Sequence, residues 1–418
     1  MFTEVKQRLH KFLRWTEKYT KTDMVYLTAS NFWLVAPRFL LLFIGMGLTV
    51  AFANLLPPEV YGTYKYVIAA SGFVAAFSLN SMNQSVMRSV AKGDIGVVPG
   101  LIRTSMLWSL PASAVTLALS AYYFGHSNTT LAFGFVFIAI TNVLSNGYGL
   151  SKSMLVAIGD FRSNTFFGFP RAVLSILIVL VTLLVTRNVV WILFAYFATN
   201  TYMGWSQYRY TMKKLGGQES KEGLKEAINF GKHMSVLGFF VLISGQIDQL
   251  LLFHFAGAAV LAVYALALAP VQEAQNLIIN FSTIIFPKLA RKTKEEVRKS
   301  LPLRLKQLSF LSMLGTIGYI ICVPFLFKYL FPKYLASVLI SQVMALTILF
   351  QGKGVLESLL IAHGEVKKRY VTLLSSQAIE FALFCILIPL FGLWGAVWGT
   401  VLAEAGAALT LYIMYKTF

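Results

Sequence analysis

The sequence predicts an all-α integral membrane protein with twelve transmembrane helices in two six-helix lobes. Three observations predict it. Apolar runs long enough to cross a bilayer follow one another along the chain. Basic residues alternate between the segments that connect these runs. The two halves of the chain also share an internal repeat.

The 418 residues are 57% hydrophobic and only 13% charged, and they include 34 Phe and 19 Tyr. A soluble domain of this length needs more charge to cover its surface. Cys322 and Cys385 both fall in apolar runs, so they supply neither a disulfide framework nor a metal site. The five histidines, His10, His126, His233, His254 and His363, have no ligand-like spacing. Composition therefore offers no metalloenzyme, and no cofactor is expected.

The first element, residues 1–31, mixes charged and apolar residues. Phe2, Val5, Leu9, Phe12 and Thr16 recur at helical spacing. This pattern predicts an amphipathic helix on the membrane surface, with a solvated leader as the plainer alternative. It is not a signal peptide, which has a short basic region followed by an apolar run.

A span needs roughly 20 apolar residues to cross about 30 Å of hydrocarbon. On that measure the spans fall near 32–55, 63–88, 104–124, 130–157, 166–186 and 189–210. A second set follows near 232–256, 259–287, 307–330, 335–362, 370–390 and 393–415. The lobes are thus 32–210 and 232–418, joined by a basic linker at 211–231. Turn residues such as Pro57-Pro58, Gly159-Asp160, Gly257, Gly364 and Gly392 separate the runs.

Counting loops alternately from the N-terminus, all but six of the 36 Lys and Arg fall in one set. Lys65, Arg187, Lys328 and Lys333 belong to the other set, and Arg38 and Lys353 lie inside spans. The positive-inside rule places the basic set, with both termini, in the cytoplasm. The net charge of +19 is then a membrane signal, and no nucleic-acid partner is expected.

The repeat matches Gly147-Tyr148-Gly149, Ser153, Leu155, Ala157 and Gly159-Asp160 with Gly352-Lys353-Gly354, Ser358, Leu360, Ala362 and Gly364-Glu365, at a constant offset of 205 residues. Val60, Tyr64, Arg88 and Lys92 match Val260, Tyr264, Lys288 and Lys292 at an offset of 200. Six spans per repeat is an even number, so the halves run parallel about an axis along the membrane normal. Such repeats are typical of carriers whose lobes rock around a central site.

Several motifs resemble a known family. The stretch Ala53-Asn54-Leu55-Leu56-Pro57-Pro58-Glu59-Val60-Tyr61-Gly62-Thr63-Tyr64 is similar to the first-loop pattern of the polysaccharide flippases, the O-antigen-like branch of the multidrug/oligosaccharidyl-lipid/polysaccharide exporter superfamily. Gln246-Ile247-Asp248-Gln249-Leu250-Leu251-Leu252 and Tyr264-Ala265-Leu266-Ala267 resemble that branch's seventh and eighth spans. The resemblance covers nearly the whole chain and implies a MATE-like fold. Relatives with fourteen spans, such as the peptidoglycan-precursor flippases, are expected to be less similar. The implied function is transfer of a polyprenyl-diphosphate-linked oligosaccharide from the cytoplasmic to the periplasmic leaflet of a bacterial or archaeal inner membrane. A proton or sodium ion is the coupling ion such transport would use. The resemblance also implies contact with membrane lipids, a monomer, and glycan polymerase machinery as a partner.

Such cargo needs a cationic, polar cavity, and ion coupling needs titratable groups at depth. Lys353, between two glycines in span ten, is the leading cation, with a structural pair to Glu357 one turn away as the alternative. Arg38, beside Pro37 in span one, is a second cation or a snorkelling side chain. Lys65 and Arg171 are further cations or interfacial anchors. Asp248, Glu273, Glu380 and Glu404 lie inside apolar runs, all in the second half, and are the ion-coupling candidates or else helix-linking acids. Asn80, Asn83 and Gln84, with Asn142 and Asn146, are placed to bind sugar hydroxyls or to join helices.

Two other classes compete. An ion-coupled drug exporter of the same superfamily would have a smaller, more acidic or apolar cavity. A membrane glycan polymerase or ligase needs a long extracytoplasmic loop, and the loops here are only a few residues long.

Overall fold

The structure is a computed structural model that describes residues 24–215, 220, 222–290 and 294–416; the side chains of 24–39, 277–290, 294–304, 361, 362 and 366 lie outside the description. Fifteen α-helices build twelve passes in it. Passes one to six are α1 (Met24–Leu55), α2 and α3 (Pro58–Ala76, Met82–Ala91), α4 (Val98–Gly125), α5 and α6 (Thr129–Tyr148, Leu150–Ala157), α7 (Phe161–Val185) and α8 (Val189–Leu215). Passes seven to nine are α9 (Leu224–Ala256), α10 (Ala258–Ala290) and α11 (Lys294–Leu330). Pass ten is α12 (Ser337–Met344), a 3-10 stretch (Ala345–Gly352) and α13 (Lys353–Ala362); α14 (Val366–Phe391) and α15 (Leu393–Lys416) complete the chain.

All twelve predicted spans fall in helical passes, the second of them interrupted at 77–81, and most helices run a few residues past the apolar run. A helix does not end where hydrocarbon ends, because its backbone groups remain paired in the polar interface. Among the described residues, eight helical passes are long and apolar enough to cross a membrane on their own composition. The predicted surface segment 1–31 lies outside the described residues as far as residue 23. From Met24 onward the chain is already part of α1. Of the linker, residues 216–219 and 221 are also outside. The helices on either side run into it, α8 to Leu215 and α9 from Leu224.

Large apolar side chains such as Val185, Leu184, Ile321, Phe325 and Ile386 are exposed on the outer surface. In water this would be a liability; around a membrane protein it is the lipid-facing belt. Helices meet instead through small and hydroxylic residues. On α4, Ser105, Ser109, Ser113, Thr116 and Ser120 are all buried. Ser105 donates to the Asn146 carbonyl at 3.1 Å and Ser120 to the Ala132 carbonyl at 2.8 Å. Such contacts allow close packing where the hydrophobic effect gives no preference.

The repeat is visible in the backbone. Gly159 and Gly364, 205 residues apart, have φ of +74° and +69°, a region open to glycine without strain. In each turn the next residue closes the same bond: Asp160 N–H to the Leu155 carbonyl and Glu365 N–H to the Leu360 carbonyl, both 2.9 Å. Pass four also breaks at Gly149 and pass ten at Gly352, which fall within the matched segments 147–149 and 352–354 though not at equivalent positions. Pass two breaks at 77–81, whereas its counterpart α10 is continuous.

The halves touch at both ends. On the face opposite the basic loops, Gly62 of α2 packs so closely on α10 that an added Cβ would collide with the Ala258 carbonyl. Tyr66 and Phe253 stack there with centroids 3.8 Å apart. Asn54 donates to the Leu330 carbonyl at 2.9 Å, and Lys333 donates to the Asn54 carbonyl at 2.6 Å. On the basic face, Ser85 donates to the Ala227 carbonyl at 2.5 Å and Arg88 pairs with Glu226 at 3.1 Å.

Candidate functional site: two connected polar cavities

The second half holds an enclosed polar cluster. Asp248 of α9 is 7% exposed. Its Oδ2 accepts a 2.8 Å bond from the Tyr264 hydroxyl of α10, which lies 3.1 Å from Thr400 Oγ1 of α15. Asp248 Oδ1 is buried with no hydrogen-bond partner among the described residues. An unpartnered carboxylate oxygen in a bilayer is costly, so the site suits a proton or a small cation.

Lys353 opens α13, directly after the 3-10 stretch that interrupts pass ten. Its Nζ is 2.5 Å from Glu404 Oε2 on α15, with both side chains mostly shielded. In the sequence, Glu357 one turn away is the candidate structural partner. The partner is Glu404, because pass twelve presents its carboxylate directly across from the break in pass ten. Glu357 stays within electrostatic reach of Lys353, Arg369 and Glu404. Glu380 of α14 is within reach of Asp248, Glu404 and Lys353. A cavity of about 240 Å³ is lined by Lys353, Glu357, Arg369, Glu380, Thr400 and Glu404; Asp248 is not on its wall and is linked to it through Tyr264 and Thr400.

A second cavity, about 530 Å³, lies between the halves. One wall is the break in pass two with Asn80, Ser81, Asn83 and Gln84; the other includes Met234, Gly238, Leu360, Arg369 and Tyr370. Asn80 is half committed: its Oδ1 accepts from Ser81 Oγ at 2.9 Å, and its amide donates to the Ala76 carbonyl at 3.2 Å. Arg369, Val241 and Leu373 line both cavities, so the two adjoin.

The remaining residues are dispersed. Lys65 of α2 lies over the Tyr61 ring at 5.6 Å. Arg171 of α7 donates to Asn200 Oδ1 at 3.4 Å, and Asn200 donates to Ser175 Oγ at 2.9 Å. Both cations act on the Tyr196 phenol between them. Among the described residues, neither has a carboxylate within ion-pair distance. Asn142 and Asn146 line neither cavity. Asn142 is buried among Ser78, Ser109 and Ser113, and Asn146 donates to its carbonyl at 2.7 Å, so these amides join passes two, three and four. Glu273 is half-buried on α10 and lines neither cavity. The side chain of Arg38 lies outside the described residues.

Glu357 and Arg369 are cavity residues that no sequence signal singles out. In the sequence Glu357 reads only as a partner for Lys353, and Arg369 closes the basic run Lys367-Lys368-Arg369, which reads as a topology signal.

No protein-family model matches the chain, and no curated protein sequence does. Solved structures do. A lipid II flippase MurJ in an inward closed conformation matches with a TM-score of 0.71 over 92% of this chain and 87% of that one, at 14% identity. An inward-facing multidrug resistance MATE family transporter of the MOP superfamily matches at 0.58, over 90% and 93%, at 13% identity. A mutant of the Vibrio cholerae MATE transporter VcmN matches at 0.61, over 94% and 97%, at 13% identity. The expectation that peptidoglycan-precursor flippases are the less similar relatives does not hold for the fold, since the MurJ match is the better of these three. The chain is a multi-pass membrane protein with the fold shared by MurJ and the MATE transporters.

Proposed function

We propose that this protein is a flippase that moves a polyprenyl-diphosphate-linked oligosaccharide from the cytoplasmic to the periplasmic leaflet by ion-coupled alternating access. One observation carries the reading: the deep carboxylates are gathered in the second half, while the first half holds cations away from them. Lys65 and Arg171 in the first half have no carboxylate within ion-pair distance among the described residues, whereas Asp248, Glu357, Glu380 and Glu404 are gathered in the second. Unpaired cations inside a membrane protein favour an anionic cargo. A separate acidic group suits the coupling ion.

In this mechanism the head group occupies the cavity between the halves while the lipid tail stays in the bilayer. The amides of Asn83 and Gln84 take sugar hydroxyls. Lys353 is held by Glu404 until cargo phosphate or an entering ion competes for one of the pair. Asp248 receives the proton or sodium ion on its free oxygen. The basic loops face the cytoplasm, so loading occurs from the side on which the precursor is made.

The second reading is an ion-coupled drug exporter. The carboxylate-rich 240 Å³ cavity favours it, because a cationic drug would seek those acids. The test is leaflet transfer of a fluorescent polyprenyl-diphosphate oligosaccharide in proteoliposomes, with and without an imposed proton or sodium gradient. Gradient-responsive flipping is expected. Efflux of cationic dyes without flipping would select the exporter.

A further inference from the structure

We propose that Arg369 is the anion-binding residue of the cavity between the halves, gripping a phosphoryl group whose attached sugar faces the amide wall of pass two. The inference rests on the flippase reading for its cargo, but the site itself is argued from geometry.

Arg369 lies in the first turn of α14, at the end of pass eleven nearest the basic face. It is exposed to the cavity and has no ion-pair partner among the described residues. The contrast with Lys353 matters. Lys353, the other cation of these cavities, is neutralised by Glu404 at 2.5 Å. Arg369 is therefore the cation left available to a ligand in the larger cavity. A guanidinium presents a planar fork that matches two phosphate oxygens, and such charge-assisted pairs are the strong ones.

The opposite wall completes the class of ligand. Asn80, Asn83 and Gln84 offer amides suited to hydroxyls, and none of them is charged. Their break leaves α3 starting inside the cavity, with Ser81 at its N-cap making no side-chain cap. The partial positive end of α3 thus adds to the field of Arg369 rather than opposing it. A volume of about 530 Å³ holds a phosphoryl group with an attached sugar. A cationic or purely apolar ligand would leave Arg369 unpaired on one wall.

The position at the neck has a consequence. On its other side Arg369 acts on Glu357, in the cavity that holds Lys353, Glu404 and Glu380. An anion in the larger cavity competes with Glu357 for Arg369, so cargo binding is felt among the carboxylates.

The test uses the purified full chain in lipid nanodiscs and two independent readouts. Inorganic pyrophosphate binding is measured by calorimetry for the wild type, Arg369→Gln, Arg369→Lys and Asn83→Asp. Flipping of the lipid-linked substrate is measured in proteoliposomes as KM and maximal rate. Arg369→Gln is expected to weaken pyrophosphate binding and raise KM by about tenfold or more, with the maximal rate nearly kept. Arg369→Lys falls between. Asn83→Asp, at an exposed position, weakens pyrophosphate by repulsion and serves if Arg369→Gln does not fold. Equal pyrophosphate binding by wild type and variants, or no binding by the wild type, overturns the site. If pyrophosphate binding depends on Arg369 but no lipid-linked diphosphate is flipped, the site stands and the flippase reading falls.

Discussion

Lys353 and Glu404 meet at 2.5 Å between passes ten and twelve, joining the strongest cation of the sequence to one of its four deep carboxylates. On the reading proposed above, the cargo-binding cation and one of the ion-coupling candidates are thus a single pair. Substituting either partner alone strands the other, so a single variant confounds folding with function.

A charge swap separates them. Lys353→Ala is expected to abolish flipping and to lower stability by roughly 1–3 kcal/mol, since Glu404 loses its partner in a shielded site. Exchanging the two residues, Lys353→Glu with Glu404→Lys, restores an ion pair and most of the stability. Flipping is expected to remain lost, because the cation has moved to pass twelve. Thermal melts in detergent and transport in proteoliposomes read the two effects. Recovery of flipping by the swapped protein would reduce the pair to a structural clasp.

Asp248 makes a sharper case for coupling. Tyr264 holds one oxygen and nothing in the described structure takes the other. Asp248→Asn preserves shape and can still accept from the Tyr264 hydroxyl, but it cannot gain or lose charge. Flipping driven by a gradient is expected to fall to the level seen without one. A variant that responds to the gradient as the wild type does would remove Asp248 from the coupling site. Tyr264→Phe frees the second oxygen and is expected to weaken coupling less.

Outside the membrane, Asp160 ties pass four to passes five and six. It caps α7 by accepting from Ser163 N–H at 3.0 Å and pairs with Lys214 at the end of α8. The Lys214 ammonium first, and then the Ser163 hydroxyl and amide, hold the Asp160 carboxyl down to about 2 from its ordinary 3.8. The partner's own value is raised by Asp160. A depressed acid contributes stability that is complete above its unfolded value and is lost as pH falls through the folded one. The contribution is therefore flat from about pH 5 to 9 and disappears toward pH 2. Asp160→Asn keeps the cap and loses the charge, whereas Asp160→Ala loses both and is expected to cost about 1 kcal/mol more. Equal melting temperatures for the two variants would show that the cap contributes nothing.

Most of the architecture was legible in the sequence, for a physical reason. A bilayer demands about 20 apolar residues per crossing, so span positions are written in composition. The repeat was equally legible, because Gly159 and Gly364 occupy φ values that few other residues tolerate. The sites were less so. The asymmetry of deep carboxylates pointed to the second half, and Asp248, Glu380 and Glu404 do come together there through a shared cavity and its neighbouring hydrogen bonds. Which side chains pair was not legible, since Lys353 and Glu404 are 51 residues apart and on different passes. Asn142 and Asn146 looked the same in the sequence as Asn80 and Asn83. What separates them is that passes two, three and four surround the first pair with hydroxyls, while the break in pass two exposes the second.

Two of the glycine contacts between the halves differ in how they give way, and this predicts the gating of the cavity. At Gly62 an added Cβ meets backbone, the Ala258 carbonyl, so Gly62→Ala must push α2 and α10 apart. At Gly238 an added Cβ meets the side-chain ends of Asn80 and Ser81, which can turn aside. Gly62→Ala is therefore expected to open the face opposite the basic loops, and Gly238→Ala to leave closure nearly unchanged. Accessibility is read by maleimide labelling of a cysteine placed at Ala262, fully buried beside this contact, after Cys322 and Cys385 are replaced. Labelling of the Gly62→Ala protein should rise severalfold over its parent, while the Gly238→Ala protein matches the parent. Equal labelling of all three would mean that the seal lies elsewhere, in the Phe52, Phe327 and Phe331 core that also joins the halves.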